Sequence, residues 1–105
     1  MTDEKFKVSP EELVAMYKCL SSKLCLRIFH IMKRHKELNI TAISRKAGCS
    51  NKTSIKHLRN MARLNIIEEE LYSGLHKFTL KNGLLTELMD QTVKLLKKEE
   101  EENAP

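Results

Sequence analysis

The stretch Gly48-Cys49-Ser50-Asn51-Lys52-Thr53-Ser54-Ile55-Lys56-His57-Leu58-Arg59-Asn60-Met61-Ala62-Arg63 decides how this chain folds. Gly48 closes one short helical pattern. Ser50 or Asn51 can cap the next, because a short side-chain oxygen accepts the unpaired amides of a helix start. Inside the second pattern Ile55, Leu58, Met61 and Ala62 recur at helical spacing and predict one buried stripe. At about 100° per residue, Lys52, Thr53, Lys56 and Asn60 fall on the opposite side, with His57 and Arg59 on its flanks. No carboxylate interrupts that face. A solvated surface helix ordinarily mixes signs to gain i,i+4 pairs. A helix entering the DNA major groove instead needs cations for phosphates and short polar groups for base edges. The composition of this face predicts the second.

Upstream, Leu38-Asn39-Ile40 is too short for a helix and predicts a small strand. Thr41 can cap a short helix over 42–47 with Ile43 and Ala47 facing inward. A short helix, a turn containing Gly and a second helix make a helix-turn-helix. Earlier still, Ser9-Pro10-Glu11-Glu12 is a helix start: Ser caps, Pro takes the first turn, and acids suit the positive end. This helix runs to about Leu20, with Leu13, Met16, Tyr17 and Leu20 on one face. Ser21 or Ser22 caps another that ends near Lys36 and turns Leu24, Ile28, Ile31 and Met32 inward.

Downstream, strand-like segments at 66–72 and 75–80 flank Ser73-Gly74 and predict a β-hairpin. Directly after the helix at 51–64, this hairpin (66–80) reads as a wing, with His76 and Lys77 placed to reach phosphates. Glu68, Glu69 and Glu70 would repel DNA and are expected to face away from it. Asn82 opens a last helix over 83–98 with an apolar stripe of Leu85, Leu88, Met89, Thr92, Leu95 and Leu96. So long a stripe predicts packing against the same helix of a second copy, assisted by Leu13, Met16 and Tyr17 of the first helix. The chain is expected to be one domain over 9–98, preceded by a flexible arm (1–8) and followed by an acidic disordered tail (99–105). Its fold class is mainly α with a small β-hairpin, in the order ααβααββα.

With 105 residues and a net charge of +5, the distribution of charge says more than its sum. Residues 21–63 carry eleven Lys or Arg and one acid, Glu37. A central basic block on a folded domain is the footprint of a polyanion partner. A membrane surface is the weaker partner, because these cations do not line one strongly amphipathic helix with aromatic anchors. Base-reading candidates are Ser50, Asn51, Lys52, Thr53, Lys56, His57 and Asn60. Phosphate candidates are Arg45, Lys46, Arg59, Arg63, His76 and Lys77, within a wider block that includes Lys23, Arg27, Lys33 and Arg34. No apolar run approaches a membrane span and no signal-peptide centre is present, so the protein is expected in the cytoplasm with the genome.

Cys19, Cys25 and Cys49 form no CxxC pair and no zinc spacing, and read as buried or idle thiols of a cytosolic protein. All three stay candidates for a redox switch. His30 and His35 with Cys19 or Cys25 do not meet metal-ligand spacing, so no metal or other cofactor is expected. Phosphate loops, nucleophile elbows and paired catalytic carboxylates are missing from the sequence, which argues against an enzyme.

The order of elements resembles the ArsR-type winged helix-turn-helix family of prokaryotic transcription regulators, especially small archaeal members and their viral relatives. The residues that carry the resemblance lie between about 20 and 80. They are Leu20-Ser21-Ser22-Lys23-Leu24-Cys25-Leu26-Arg27-Ile28, the run from Gly48 through Leu58, and Leu64-Asn65-Ile66-Ile67 leading into the wing. The resemblance implies a homodimer on a pseudo-palindromic operator in double-stranded DNA, repressing by blocking polymerase. It also implies that Ser50, Lys52, Thr53, Lys56 and His57 face the groove. Two departures stand out. Where metal-sensing members carry cysteines on the third helix, this chain has Leu38-Asn39-Ile40-Thr41-Ala42-Ile43. The core-facing β-branched residue usual after the recognition Thr is Ser54 here, followed by Ile55, which implies a slight rotation of the helix. Two other functions fit the same fold: an adaptor whose basic face meets an acidic protein, and a thiol- or effector-responsive sensor.

Overall fold

A computed structural model describes the backbone of residues 8–103 and the side chains of residues 8–95. The elements are α1 (Pro10–Leu20), α2 (Lys23–His35), β1 (Glu37–Asn39), α3 (Ile40–Ala47), α4 (Asn51–Arg63), β2 (Ile67–Tyr72), β3 (Leu75–Leu80) and α5 (Leu84–Asn103). This is the expected order. Of the expected arm (1–8), residues 1–7 lie outside what is described and Val8 packs half-buried against the core; residues 104–105 and the Leu96 side chain also lie outside. At 99–103, where a disordered tail was expected, the backbone continues α5. Glu and Lys are good helix formers, so nothing in the sequence halts the helix at 98.

Local chemistry accounts for most boundaries. Ser9 and Glu12 form a reciprocal capping box on α1, with both bonds at 3.0 Å. Ser22 caps α2 through the Cys25 amide, and Ser50 caps α4 through the Thr53 amide, each at 3.1 Å. For α3 the cap is Asn39, which accepts from the Ala42 amide, so the helix starts at Ile40, ahead of the expected Thr41 cap. Gly48 ends α3 in the left-handed region at φ 75° and donates to the Ser44 carbonyl at 2.8 Å. Its lack of a Cβ is what permits that conformation without strain.

β1, β3 and β2 form an antiparallel sheet in that order. Between β2 and β3, Ser73 and Gly74 both have positive φ, the turn whose twist matches a two-residue hairpin. The core is shared by all the helices: Met16 from α1, Ile28, Phe29 and Met32 from α2, Ile43 from α3, Leu58 and Met61 from α4, and Met89 from α5. Phe78 closes it from the sheet. Burial of this kind removes apolar surface from water and is the main force holding the elements together.

Two expectations about packing are overturned. Met16, Leu85 and Met89 lie inside the protomer's own core and offer no surface to a second copy. They sit where α1 and α5 pack together and where α5 packs on α2. The stripe of α5 is wide enough to bury one edge internally and leave another open. The thiols of Cys19 and Cys25 are also not idle, for they form a disulfide with the Cα atoms 5.9 Å apart. The short Ser21-Ser22 turn brings the end of α1 against the start of α2, within the normal Cα range for the bond. Among the described residues the free cysteine is Cys49.

Candidate nucleic-acid interface

The helix-turn-helix places α4 across α3 and against α1, α2 and β2. What fixes its rotation is Ser54, which is fully buried and points toward α3. Ser44 Oγ donates to Ser54 Oγ at 2.9 Å, and Cys49 Sγ lies 3.0 Å from the same oxygen. A small hydroxyl thus occupies the inward position, satisfied by polar partners from α3 and the turn. Ile55, expected in the buried stripe, is only half-buried beside it. The inward position is therefore filled at Ser54, and the polar residue there needs no rotation of the helix. Behind the turn, Arg27 Nη1 of α2 donates to the Ala47 carbonyl at 2.9 Å, tying the end of α3 to the core. Arg27 thereby leaves the basic block for a structural task.

With that rotation Lys52, Lys56, Arg59 and Arg63 lie on one exposed line at spacings of four, three and four residues. They are not equivalent. Arg59 is bound by Glu69 of β2, Nη2 to Oε2 at 2.9 Å and Nε to Oε1 at 3.2 Å. His76 Nε2 of β3 donates to the same carboxylate at 2.7 Å. The Arg59 guanidinium is the main cause that holds the Glu69 carboxyl below its usual range, against a smaller opposing effect of burial. Lys77 lies 2.9 Å from Glu37 and 3.2 Å from Glu70, and these carboxylates push its ammonium above the usual lysine range. Arg59 and Lys77 therefore spend their charge on internal carboxylates and His76 is hydrogen-bonded to one of them, contrary to the expectation that these three would reach phosphates. Glu69 and Glu70 serve as those partners. At its tip the wing exposes Leu71, Tyr72 and Leu75.

The C-terminal half of α4 is turned to a different use. Arg63 Nη1 donates to Asn60 Oδ1 at 2.6 Å, and both residues line a cavity against α1, together with His57. Burial, and then the neighbouring Lys56, depress the His57 pKa below its ordinary value. Asn60 stands nine residues beyond Asn51, roughly 13 Å further along the axis. Asn60 and His57, both half-buried, thus line a cavity with α1, and the exposed Arg63 shares it.

The first two turns of α4 remain. Asn51, Lys52 and Lys56 are exposed, and Thr53 is half-buried. Ser50 Oγ donates to Thr53 Oγ1 at 3.0 Å while capping the helix, which leaves the Thr53 hydroxyl proton to give. Arg45 and Lys46, in the last turn of α3, are exposed just across the turn. Among the described residues no carboxylate comes within salt-bridge distance of Arg45, Lys46, Lys52 or Lys56. The helix start adds its own partial positive charge. The result is an exposed surface of cations without a carboxylate partner among the described residues, and of hydrogen-bond donors, on the helix-turn-helix.

A second surface is apolar. Val14 and Tyr17 of α1 are 56% and 59% exposed, and Leu84 and Leu95 of α5 are 54% and 70% exposed, with Leu13 and Leu88 beside them. Val14 and Leu84 were not picked out in the sequence, because each lies at the edge of its helical stripe. Thr92 bonds back to the Leu88 carbonyl and is half-buried. No helix among the described residues is long and apolar enough to cross a membrane.

No family model matches the chain, and no curated protein matches it in sequence. Solved structures do match. The AntR antimony-specific transcriptional repressor aligns over 94% of this chain and 92% of its own, with TM-score 0.72 and 16% identity. A homodimeric winged helix-turn-helix DNA-binding domain from Mycobacterium bovis, described as a possible ArsR-family regulator, aligns over 90% and 87%, with TM-score 0.71 and 14% identity. The transcriptional repressor PagR of Bacillus anthracis aligns over 78% and 93%, with TM-score 0.62 and 20% identity. At these identities the likeness shows the fold: the chain is a winged helix-turn-helix protein.

Proposed function

We propose that this winged helix-turn-helix chain is a sequence-specific regulator of transcription that binds double-stranded DNA as a homodimer, in the manner of the ArsR-like repressors it resembles in fold. The observation that carries this reading is the surface of Arg45, Lys46, Asn51, Lys52, Thr53 and Lys56, which holds four cations with no internal carboxylate among the described residues. Lys52 and Lys56 project from the first two turns of α4 and, with Asn51 and Thr53, read base edges. Arg45 and Lys46 hold phosphates and set register. Arg59 of α4 and Lys77 of the wing are neutralised internally, and Arg63 turns to Asn60 at the far end of the helix, which leaves the free charge of the helix-turn-helix at this end.

The exposed apolar residues of α1 and α5, two helices that touch within the protomer, supply the dimer contact. A symmetric pair then offers two recognition helices about 34 Å apart, one helical repeat of B-DNA. Occupying the operator excludes polymerase, which makes the regulator a repressor working in the cytoplasm. The test is selection of bound duplexes from a random pool. The reading expects enrichment of an inverted repeat with half-sites one turn apart, and an unenriched pool would refute it.

A further inference from the structure

The disulfide between Cys19 and Cys25 stands at a place that the DNA-binding reading does not use. Cys19 forms part of the wall of a cavity of about 260 Å³ between the end of α1 and the outer half of α4. Lys18, Ser22, His57, Asn60 and Arg63 line the rest of its polar surface. Two permanent cations, and no carboxylate among the lining residues, make the cavity a site for a small anion. Its volume lies below the range usual for drug-sized ligands, so the occupant is a short molecule of a few heavy atoms.

The two sulfurs of the bond differ in a way that fixes a direction of reaction. Cys25 is fully buried and is the third residue of α2, where its amide donates to Ser22. The positive dipole at that end of a helix favours a thiolate while full burial opposes it. Access therefore sets the direction: an incoming thiol does not reach a fully buried sulfur, and Cys25 is left as the leaving group. Cys19 lies in the last turn of α1, where the dipole has the opposite sign, and of the two cysteines it is the one that lines the cavity.

We propose that this cavity is a thiol-exchange site: a small anionic thiol is held by Lys18 and Arg63 and attacks the Sγ of Cys19. The thiolate forms a sulfur–sulfur bond to Cys19 as the Cys19–Cys25 bond breaks, and the electron pair leaves on Cys25, which takes a proton from water. A second thiol of the same kind attacks the mixed disulfide, releasing the small-molecule disulfide and the Cys19 thiolate. Two electrons pass from two small thiols to one protein disulfide, which becomes two thiols. The reaction separates the end of α1 from the start of α2 at a cavity whose other wall is α4.

The test uses the full chain without DNA, so it stands apart from the function proposed above. Oxidised protein is exposed to 2-mercaptoethanesulfonate or to cysteamine, which share a carbon skeleton and differ in charge. Samples are quenched with acid and mapped by mass spectrometry after alkylation and digestion. Lys18, Lys23 and Arg27 let trypsin release Cys19 and Cys25 in separate peptides. The proposal expects the adduct on Cys19 and the alkylated thiol on Cys25. It expects the sulfonate to react about tenfold faster per thiolate, the scale of one or two partly solvated charges at close range. Lys18→Gln with Arg63→Gln brings the two rates to within about twofold of each other on the same reasoning. Equal rates in the unaltered protein, an adduct on Cys25, or a preference that survives the double substitution would each overturn it. So would three free thiols in protein that has been treated with an oxidant.

Discussion

Ser54 is the residue on which the orientation of α4 rests, and its removal has a calculable signature. Ser54→Ala deletes the oxygen that meets Ser44 Oγ at 2.9 Å and Cys49 Sγ at 3.0 Å. The Ser44 hydroxyl, almost entirely buried, then loses its partner. A stranded buried hydroxyl costs about 1–3 kcal/mol. Ser44 is in a helix and can rotate its hydroxyl onto the carbonyl four residues back, which places the loss near the lower end, about 1–2 kcal/mol. Ser44→Ala costs a similar amount by the same reasoning. Removing both leaves only the half-buried Cys49 thiol, a weak hydrogen-bonding group, without its partner, so the double variant loses less than the sum by about 1 kcal/mol. Urea unfolding of the four proteins at one fixed chain concentration reads this cycle. A single substitution lowers the midpoint by roughly 1 M, taking a slope of about 1–3 kcal/mol/M, and leaves the slope unchanged. Additive losses, or a Ser54→Ala midpoint equal to that of the unaltered protein, would refute the claim that these hydroxyls lock α4 on α3.

Glu69→Gln frees Arg59 and weakens the hold on His76, so the slope of log affinity against log salt steepens by about one phosphate; an unchanged slope in fluorescence anisotropy would return Arg59 to the structural set for another reason. The same carboxyl gives a pH signature. Its folded pKa lies below the ordinary 4.5, so its contribution is complete above that value and is lost as pH falls through the lower folded value. Acid unfolding below about pH 4.5 is accordingly expected to be less steep in Glu69→Gln than in the unaltered protein. Gly48→Ala meets no neighbouring atom but forces a side chain into φ 75°, and is expected to cost about 1 kcal/mol, some 4–8 °C in melting temperature. Leu88→Glu places a charge on the exposed stripe of α5 without touching the core, so sedimentation is expected to find a folded monomer for this variant and the proposed dimer for the unaltered chain; two equal masses would refute the dimer contact.

What the sequence disclosed was local. Gly48, Ser50 and the Ser9-Pro10-Glu11-Glu12 start announce helix ends through their own chemistry, and the Ser73-Gly74 turn announces the hairpin, so the order of elements was readable in full. What it hid depends on residues distant in the chain. Arg59 meets Glu69 only because β2 returns alongside α4, and Lys77 meets Glu37 only because β1 pairs with β3. Asn60 and His57 stand in the open on an isolated helix, and nothing local says that they line a cavity with α1. Ser54 escaped because a polarity pattern assigns a serine to the outside, whereas here partners from α3 and the turn satisfy it within the core. Met16, Leu85 and Met89 were apolar as read; what was missing was which apolar edge the protomer itself consumes.

The central claim is that the start of α4 reads sequence while the end of α3 holds the backbone. It is tested by titrating a selected duplex and a random duplex at several salt concentrations with the unaltered chain, Lys56→Ala and Arg45→Ala. Lys56→Ala is expected to lower affinity for the selected duplex by about tenfold or more beyond its effect on the random one, the worth of a lost base contact. Arg45→Ala is expected to weaken both alike and flatten the salt slope by about one unit. Equal losses on both duplexes for Lys56→Ala would contradict the account.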